Sequence, residues 1–339
     1  MAKLSRRDLL RLACLTGLGL AIPLIRSSSI GQIHDRQQEL QRSIRALGTT
    51  LTISIGEGFS PVRAFAAIDD AFGEIRRLEA EFTRFNPSSQ ICRLNQVSEV
   101  ERPAPELVEV LQMARRFSAG TEGAFDITVK PALDVLRRCV GGMYVPSDAE
   151  FEAARRLIDF EQVSVSKDLV SLGKPGMAVT LDCIGKGYLL DRAAARLRAH
   201  GIRSALIQGG GTLIAVGARP DGSPWRIGVR DPVNPNALIG RFNLSDGAVA
   251  TSGDYESFFS PDGRFYHIVD PSTARSPLYS HSATVIAPTA AEADPLGVSL
   301  MVKEPREGLK LLEGFKGCEC LIATRNGRLI QSDGFGRIS

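Results

Sequence analysis

The sequence predicts an α+β fold: one compact unit of mixed sheets and helices behind an N-terminal leader. Helix-period and strand-period segments are interspersed without the regular strand–helix–strand alternation of a doubly wound sheet. Strand patterns dominate from about residue 210 onward. No linker rich in Pro, Gly or Ser divides the middle of the chain, and no internal repeat is present. With 339 residues, 43% of them hydrophobic, there is material for one large core or two intimately packed subdomains. A disordered chain would carry fewer apolar residues and more net charge. The net charge is +3, from 41 basic and 38 acidic residues, and much of the excess sits in Lys3, Arg6, Arg7 and Arg11. No basic run with interleaved aromatics remains to engage a nucleic acid, so none is expected as a partner.

The leader is read from Ser5-Arg6-Arg7-Asp8-Leu9-Leu10-Arg11 and the glycine-broken apolar run at 12–25. A basic start and a short apolar stretch fit a signal peptide, whereas a spanning helix needs about 20 apolar residues. Adjacent arginines before two leucines match the twin-arginine export signal, which delivers folded proteins and implies a periplasmic location. Residues 26–32 hold no clear A-x-A cleavage site. A leader retained as a membrane anchor therefore stays open, as does a chance Arg-Arg before a buried helix. Residues 1–32 are assigned to signal peptide and linker.

Residues 33–46 are polar and read as a linker or short helix, and 47–55 alternate as a strand. Residues 61–83 place Ala64, Ala67, Ile68, Ala71, Phe72, Ile75 and Leu78 at helical spacing with charges between. A loop at 86–89 precedes a second short helix, and amphipathic helices follow at 105–119 and 149–160. Residues 163–182 read as a β-hairpin turning at Gly173-Lys174-Pro175-Gly176. A helix over 185–199 and a strand over 204–207 lead into three glycines. Strands are expected at 213–217, 225–230, 239–243, 248–251, 265–269 and 281–287. Helices at 291–303 and 305–314 and a hairpin at 320–331 close the chain.

The cysteines are Cys14, Cys92, Cys139, Cys183, Cys318 and Cys320, with no CxxC and no Cys/His cluster at zinc spacing. Cys14 belongs to the leader, which leaves an odd number and at least one free thiol. Cys318 and Cys320 would share one face of a strand and read as core packing.

Four polar, glycine-rich segments carry candidate chemistry. In Gly123-Ala124-Phe125-Asp126-Ile127-Thr128-Val129 a small-residue turn presents Asp126, either to a ligand edge or to backbone amides as a capped turn. Leu181-Asp182-Cys183-Ile184-Gly185-Lys186-Gly187-Tyr188 sets a lysine among small residues at a helix start, where free amides and the helix dipole suit a phosphate. It is not a Walker A loop, because the spacing is absent. Gln208-Gly209-Gly210-Gly211-Thr212 follows a strand and allows close backbone approach, or simply a sheet crossover. The fourth set is Thr251–Glu256, His267-Ile268-Val269-Asp270-Pro271 and Ala293-Asp294. His267, one of four histidines, is braced by a rigid Asp-Pro turn, and Asp254 and Asp294 nearby would supply a base and a metal ligand.

Taken together, nine stretches in order resemble the ApbE family of flavin transferases. They are LGTTLTISI (47–55), FTRFNPSSQICRLN (82–95), GAFDITVKPAL (123–133), LDCIGKGYLLDRAA (181–194), IQGGGTLIAVG (207–217), WRIGVRDP (225–232), VATSGDYESFF (249–259), YHIVDPSTARSP (266–277) and SATVIAPTAAEAD (282–294). The resemblance covers about 45–339 and implies an ApbE-like, T-fold-like unit. It implies transfer of FMN from FAD to a threonine or serine of a partner flavoprotein, with AMP leaving and Mg²⁺ required. By matching motif, Leu47 takes a methionine position against the flavin or adenine ring, and Phe85 an aromatic position usually held by tyrosine. Ala124, Phe125 and Asp126 would line the dinucleotide site, with Lys186 approaching it. His267 and Ile268 fall at the family's His-Ile, and His267 is assigned as the base or orienting group. Asp294 is the expected Mg²⁺ ligand, with the main-chain carbonyl of Cys183 as the second.

Three positions depart from that pattern. The aspartate of the family's Asp-Leu-Gly-Gly-Ile-Ala-Lys-Gly is Thr180 here, with Asp182 two residues on. The Gly-Gly-Asp or Gly-Gly-Asn is Gly210-Gly211-Thr212, and the threonine four residues after the metal aspartate is Val298, followed by Ser299. Leader and substitutions resemble the sub-group serving membrane-bound respiratory flavoproteins, including the accessory factor of nitrous oxide reduction. The acceptor implied is an exported or membrane-bound flavoprotein. The departures keep two rivals open: a flavin-binding accessory protein without transfer, and a metal-dependent FAD pyrophosphatase.

Overall fold

The computed structural model describes residues 30–32, 40–140, 142, 144–255 and 257–336. The leader with its twin-arginine motif lies outside the described residues. Strands β1 (Ile30–Gln32), β2 (Leu40–Ala46) and β3 (Thr49–Ile55) open the described chain. Helices α1 (Pro61–Phe82) and α2 (Gln90–Val97), strand β4 (Glu99–Glu101) and helix α3 (Pro105–Gly120) follow. Next come α4 (Lys130–Arg137), α5 (Asp148–Arg155), β5 (Val163–Val165), β6 (Leu169–Leu172) and α6 (Ile184–Ala199). The second half adds β7 (Ala205–Gly209), β8 (Thr212–Val216), β9 (Trp225–Arg230), β10 (Leu238–Leu244), β11 (Gly247–Gly253) and β12 (Ser280–Ala287). It ends with α7 (Ala290–Val302), α8 (Pro305–Leu312), β13 (Glu319–Thr324) and β14 (Leu329–Gln331).

The frame is an eight-stranded antiparallel sheet in the order β14-β13-β12-β11-β8-β7-β3-β2. Both of its faces are covered, which is why β8, TLIAV, is buried at every position instead of alternating. Ile207, Ile214, Val285 and Ile322 face a core shared with α1, α6 and α7. Their neighbours Leu206, Leu213, Ala215, Val249, Ile286 and Leu321 face the opposite way, onto Trp225, Ile227 and Phe242 of a small β1-β9-β10 sheet. The alternation along each strand thus feeds two cores, each large buried side chain contributing roughly 1.5–3 kcal/mol. A third sheet, β4-β6-β5, packs into the helical side through Val100, Val163 and Val170. This mixed α+β architecture is the one the sequence predicts.

Helix α1 shows why these residues form these elements. Pro61 occupies its first turn, the Ser60 hydroxyl accepts the Arg63 amide, and Ala64 to Phe82 bury one stripe at spacings of three and four. Helix α7 is buried all round; the Asp191 carboxylate of α6 accepts the amides of Ala290 and Ala291 at 2.9 and 2.8 Å and closes its N-terminus. Helices α6 and α7 touch through Gly187, where a Cβ would sit 2.3 Å from the Ala290 carbonyl oxygen.

Three expectations are corrected, and two elements were not expected. Residues 40–46 form strand β2, not a linker or helix: it is the sheet's edge strand, and Arg42 shares the face of Leu40, Ile44 and Ala46, where it covers Phe65 of α1 and pairs with Asp69 at 2.5 Å. The hairpin turn lies at 166–168, where the Ser166 hydroxyl accepts the Asp168 and Leu169 amides; 173–176 instead leaves the sheet. Residues 265–269 form no strand, since β11 and β12 pair directly from Gly253–Ser282 onward and make 254–279 an excursion. Among its described residues that excursion holds the isolated bridges Phe258–Tyr266 and Asp270–Arg275. Helix α4 and strand β4 carry no expectation at all, being too short for periodicity to resolve. Cys92, Cys139, Cys183, Cys318 and Cys320 are all free thiols, and Cys320 is a core residue of β13 as expected.

Candidate active site

A cleft of about 710 Å³ opens at one end of the large sheet. Two tight hairpin turns form part of its wall. Ala46 pairs with Thr49 across Leu47 (φ 54°) and Gly48 (φ 71°), and Gly209 pairs with Thr212 across Gly210 (φ 53°) and Gly211 (φ 83°). Two successive left-handed residues are what a two-residue hairpin turn requires. Glycine adopts that conformation freely, but Leu47 does so at a cost of about 1–2 kcal/mol. The Glu79 carboxylate offsets it by accepting the Leu47 amide at 2.6 Å. The strand paired with β3 is β7, so Leu51 opposite Gly209 brings the two turns side by side.

Lys186 on the first turn of α6 spans this junction. Its Nζ donates to the Gly210 carbonyl at 3.0 Å and lies 3.5 Å from Asp294 Oδ1. Asp294, on α7, is 4% exposed. Its Oδ1 also accepts the Thr212 hydroxyl at 2.9 Å, while its Oδ2 is buried with no hydrogen-bond partner. Burial pushes the Asp294 carboxyl up, against the pull of Lys186 and Thr212. Cys183 occupies the N-cap position of α6, and its thiol is raised well above the ordinary range by burial and then by the Asp294 charge. The expected cradle of free helix amides is not what forms here. Gly185 N donates to the Leu181 carbonyl and Lys186 N to the Cys183 carbonyl at 3.1 Å, so the lysine side chain is what faces the cleft.

His267 and Ile268 line the same cleft from the 254–279 excursion. Buried Tyr266 holds that segment: its amide donates to Ser276 Oγ at 2.9 Å and its hydroxyl to the Pro277 carbonyl. The His267 amide donates to the Ser257 carbonyl at 3.2 Å, and its ring Nδ1 is buried without a partner. Burial, reinforced by the positive charge of Lys186, depresses the imidazole to about 4, so it is neutral at pH 7. Asp254 is not brought to the cleft. It pairs with His281 Nδ1 and Arg325 Nη2, both at 2.8 Å, and ties the start of the excursion to β12 and to the segment after β13.

Ala124, Phe125 and Asp126 line the cleft as expected. Asp126 is fully engaged as a capped turn: Oδ1 accepts the Thr128 amide and hydroxyl at 2.7 and 2.6 Å, and Oδ2 the Phe160 amide at 3.1 Å. Burial raises its pKa. Leu47 borders both the main cleft and an adjoining pocket of about 100 Å³, and Phe85 borders only the latter, 76% exposed beneath the Arg84 guanidinium.

Known proteins with this arrangement are numerous. Residues 47–322 match the model of the ApbE family. The chain belongs to the ApbE family. It is 32% identical over 251 residues to the FAD:protein FMN transferase of Vibrio cholerae, covering 70% of this chain and 74% of that one. The solved ApbE protein of Thermotoga maritima superposes with a TM-score of 0.80 at 29% identity, covering 88% of this chain and all of the other. The flavin transferase ApbE of Vibrio cholerae does so at 0.75 and 28%, covering 89% and 99%.

Within the ApbE frame the three departures acquire positions. Val298 lines the cleft, whereas the Ser299 hydroxyl turns back to the Pro295 carbonyl at 2.8 Å and is fully buried, so it does not replace the missing threonine. Asp182 lines the cleft beside Thr180 and is held by Arg84 Nε at 2.6 Å. Thr212 is the departure that contributes, through its bond to Asp294. Sequence reasoning passed over Glu79 and Arg137, neither of which carries a motif signal.

Proposed function

We propose that this chain is an FAD:protein FMN transferase. The acceptor is a threonine or serine hydroxyl of a partner flavoprotein, AMP is released, and Mg²⁺ is required. The observation that carries the reading is the buried, unpartnered Oδ2 of Asp294 beside Lys186, in a cleft that also holds a neutral His267.

The residues present fit a divalent cation of the hard type. Asp294 Oδ2 is an orphaned anionic donor, and the Cys183 carbonyl stands at the neighbouring helix start. Among the described residues no group of three His, Cys, Asp or Glu side chains could hold a metal. That sparse set suits Mg²⁺, which keeps waters and takes substrate phosphates as ligands. When bound, such a cation supplies charge neutralisation at the diphosphate.

The chain's own residues do the rest. Lys186 leans toward the developing charge, and Thr212 fixes the Asp294 carboxylate by its hydroxyl. Neutral His267 takes the acceptor hydroxyl proton as that oxygen bonds to the FMN-side phosphorus. The bond from that phosphorus to the AMP oxygen breaks, and AMP departs with the electron pair. The Arg6-Arg7 leader supports an exported chain acting on an exported or membrane-bound acceptor.

The test incubates the protein with FAD, Mg²⁺ and a candidate acceptor, with and without chelator. An FMN-sized mass gain on the acceptor with matching AMP, lost with EDTA, supports the reading. AMP and FMN without a mass gain would make the chain a pyrophosphatase, and intact bound FAD with a competent acceptor would make it a flavin carrier.

A further inference from the structure

Three cations share two carboxylates in a cluster that reaches the cleft through Arg137 and Asp182. Arg84 Nε takes Asp182 at 2.6 Å, and Lys130 Nζ takes Asp134 at 2.5 Å. Arg137, the last residue of α4, is left 3.7 Å from Asp182 and 4.0 Å from Asp134, outside hydrogen-bonding range of both. Its side chain is only 31% exposed and lines the cleft with Lys186 and His267. Burial first, and then the Arg84 charge, depress its pKa against the pull of Asp182 and Asp134. Its charge is also felt at His267, together with those of Lys186 and Asp182.

We propose that Arg137 is an anion-binding residue of this cleft, its planar fork receiving a phosphate oxygen of the dinucleotide's diphosphate. The proposal rests on the reading above, in which FAD enters this cleft. The surplus positive charge among Arg84, Lys130 and Arg137 is what the incoming diphosphate neutralises. Arg84 remains committed to Asp182 and to the Phe85 ring, 3.9 Å from its Cζ. Arg138, one residue on, turns away to Glu150 at 2.8 Å and covers Tyr144.

The test measures ADP and riboflavin binding by calorimetry on the full chain in Mg²⁺ buffer, for wild type, Arg137→Ala, Arg137→Lys and Arg138→Ala. Arg137→Ala is expected to weaken ADP by roughly tenfold to a hundredfold while leaving riboflavin unchanged. Arg137→Lys should fall between, the ADP salt dependence should flatten, and Arg138→Ala should match wild type. Equal weakening of both ligands, an unchanged ADP affinity, or no ADP binding by wild type would each overturn the proposal. Because ADP binding needs no acceptor, the two readings fail separately. An ADP effect without any FMN transfer sinks only the transferase, and transfer with an unaltered ADP affinity in Arg137→Ala sinks only the anion site.

Discussion

His267 and Asp294 are opposite cases of one effect, desolvation, which keeps an imidazole deprotonated and raises a carboxyl. For His267 the consequence is an imidazole that stays neutral well below the usual histidine range. The acid limb of the transfer-rate profile is expected near pH 4 rather than 6.5; a limb near 6.5 would show that His267 is not the titrating group. His267→Ala should lower the transfer rate by roughly a hundredfold to ten-thousandfold with FAD affinity little changed. The unfolded chain accepts this proton at 6.5 and the folded one only near 4, so stability declines as pH falls between them. Urea unfolding should show a shallower decline for His267→Gln. For Asp294, replacement by Asn removes the orphaned anionic donor. The Mg²⁺ concentration for half-maximal transfer is expected to rise at least roughly a hundredfold, and Thr212→Val, which only frees Oδ1, by roughly tenfold. Mg²⁺ titrations with equal midpoints for wild type and Asp294→Asn would remove Asp294 from the metal site.

Among the elements, the pairing of α6 with α7 sets the site, because Lys186 and Asp294 lie one on each. Their close approach depends on Gly187, whose added Cβ would strike backbone atoms of Ala290 and Ala291 at 2.3 to 2.7 Å. Backbone cannot rotate aside as a side chain would. Gly187→Ala is therefore expected to cost about 1–3 kcal/mol in denaturant unfolding, and to depress transfer further by parting Lys186 from Asp294. A variant with wild-type stability and activity would mean that the helices separate freely. At this scale the long elements were legible in the sequence: α1, α6, α7 and the central strands carry caps, stripes or apolar runs that need no partner to be recognised. Edge strand β2 was not, since Arg42 takes an inward position over Phe65 and masks the alternation. The 265–269 segment failed for a different reason. Its strand-like residues are held by Tyr266 and Ser276 within a loop, while the sheet positions beside β11 are already filled by β8 and β12.

For the whole molecule, the proposed function implies that metal and dinucleotide would complete each other's site, because among the described residues the protein offers one unpartnered buried carboxylate oxygen and no group of three His, Cys, Asp or Glu that could hold a metal. Mg²⁺ alone is then expected to leave the melting temperature unchanged, and FAD to raise it more with Mg²⁺ than with EDTA. Additive shifts from the two ligands would show that they bind independently. The cleft draws residues from segments as distant in sequence as Leu47 and Val298, so its integrity tracks that of both cores.

By itself the sequence determined the fold class, the long elements, and the nine ordered motifs that carry Leu47, Ala124, Phe125, Asp126, Cys183, Lys186, His267, Ile268 and Asp294 to one cleft. The first two are properties of local period and residue type, and the motifs were legible through their resemblance to the ApbE family. Which groups are satisfied and which are left bare was decided only by the tertiary structure. Asp126 and Asp254 are spent on backbone and ion-pair partners, Asp294 Oδ2 is left without a hydrogen bond, Arg137 lies 3.7 Å from the nearer of its two carboxylates, and Phe85 stands in a side pocket. Hydrogen-bond satisfaction and desolvation depend on partners far away in the chain, so they exist only once the sheet and its helices have closed around them.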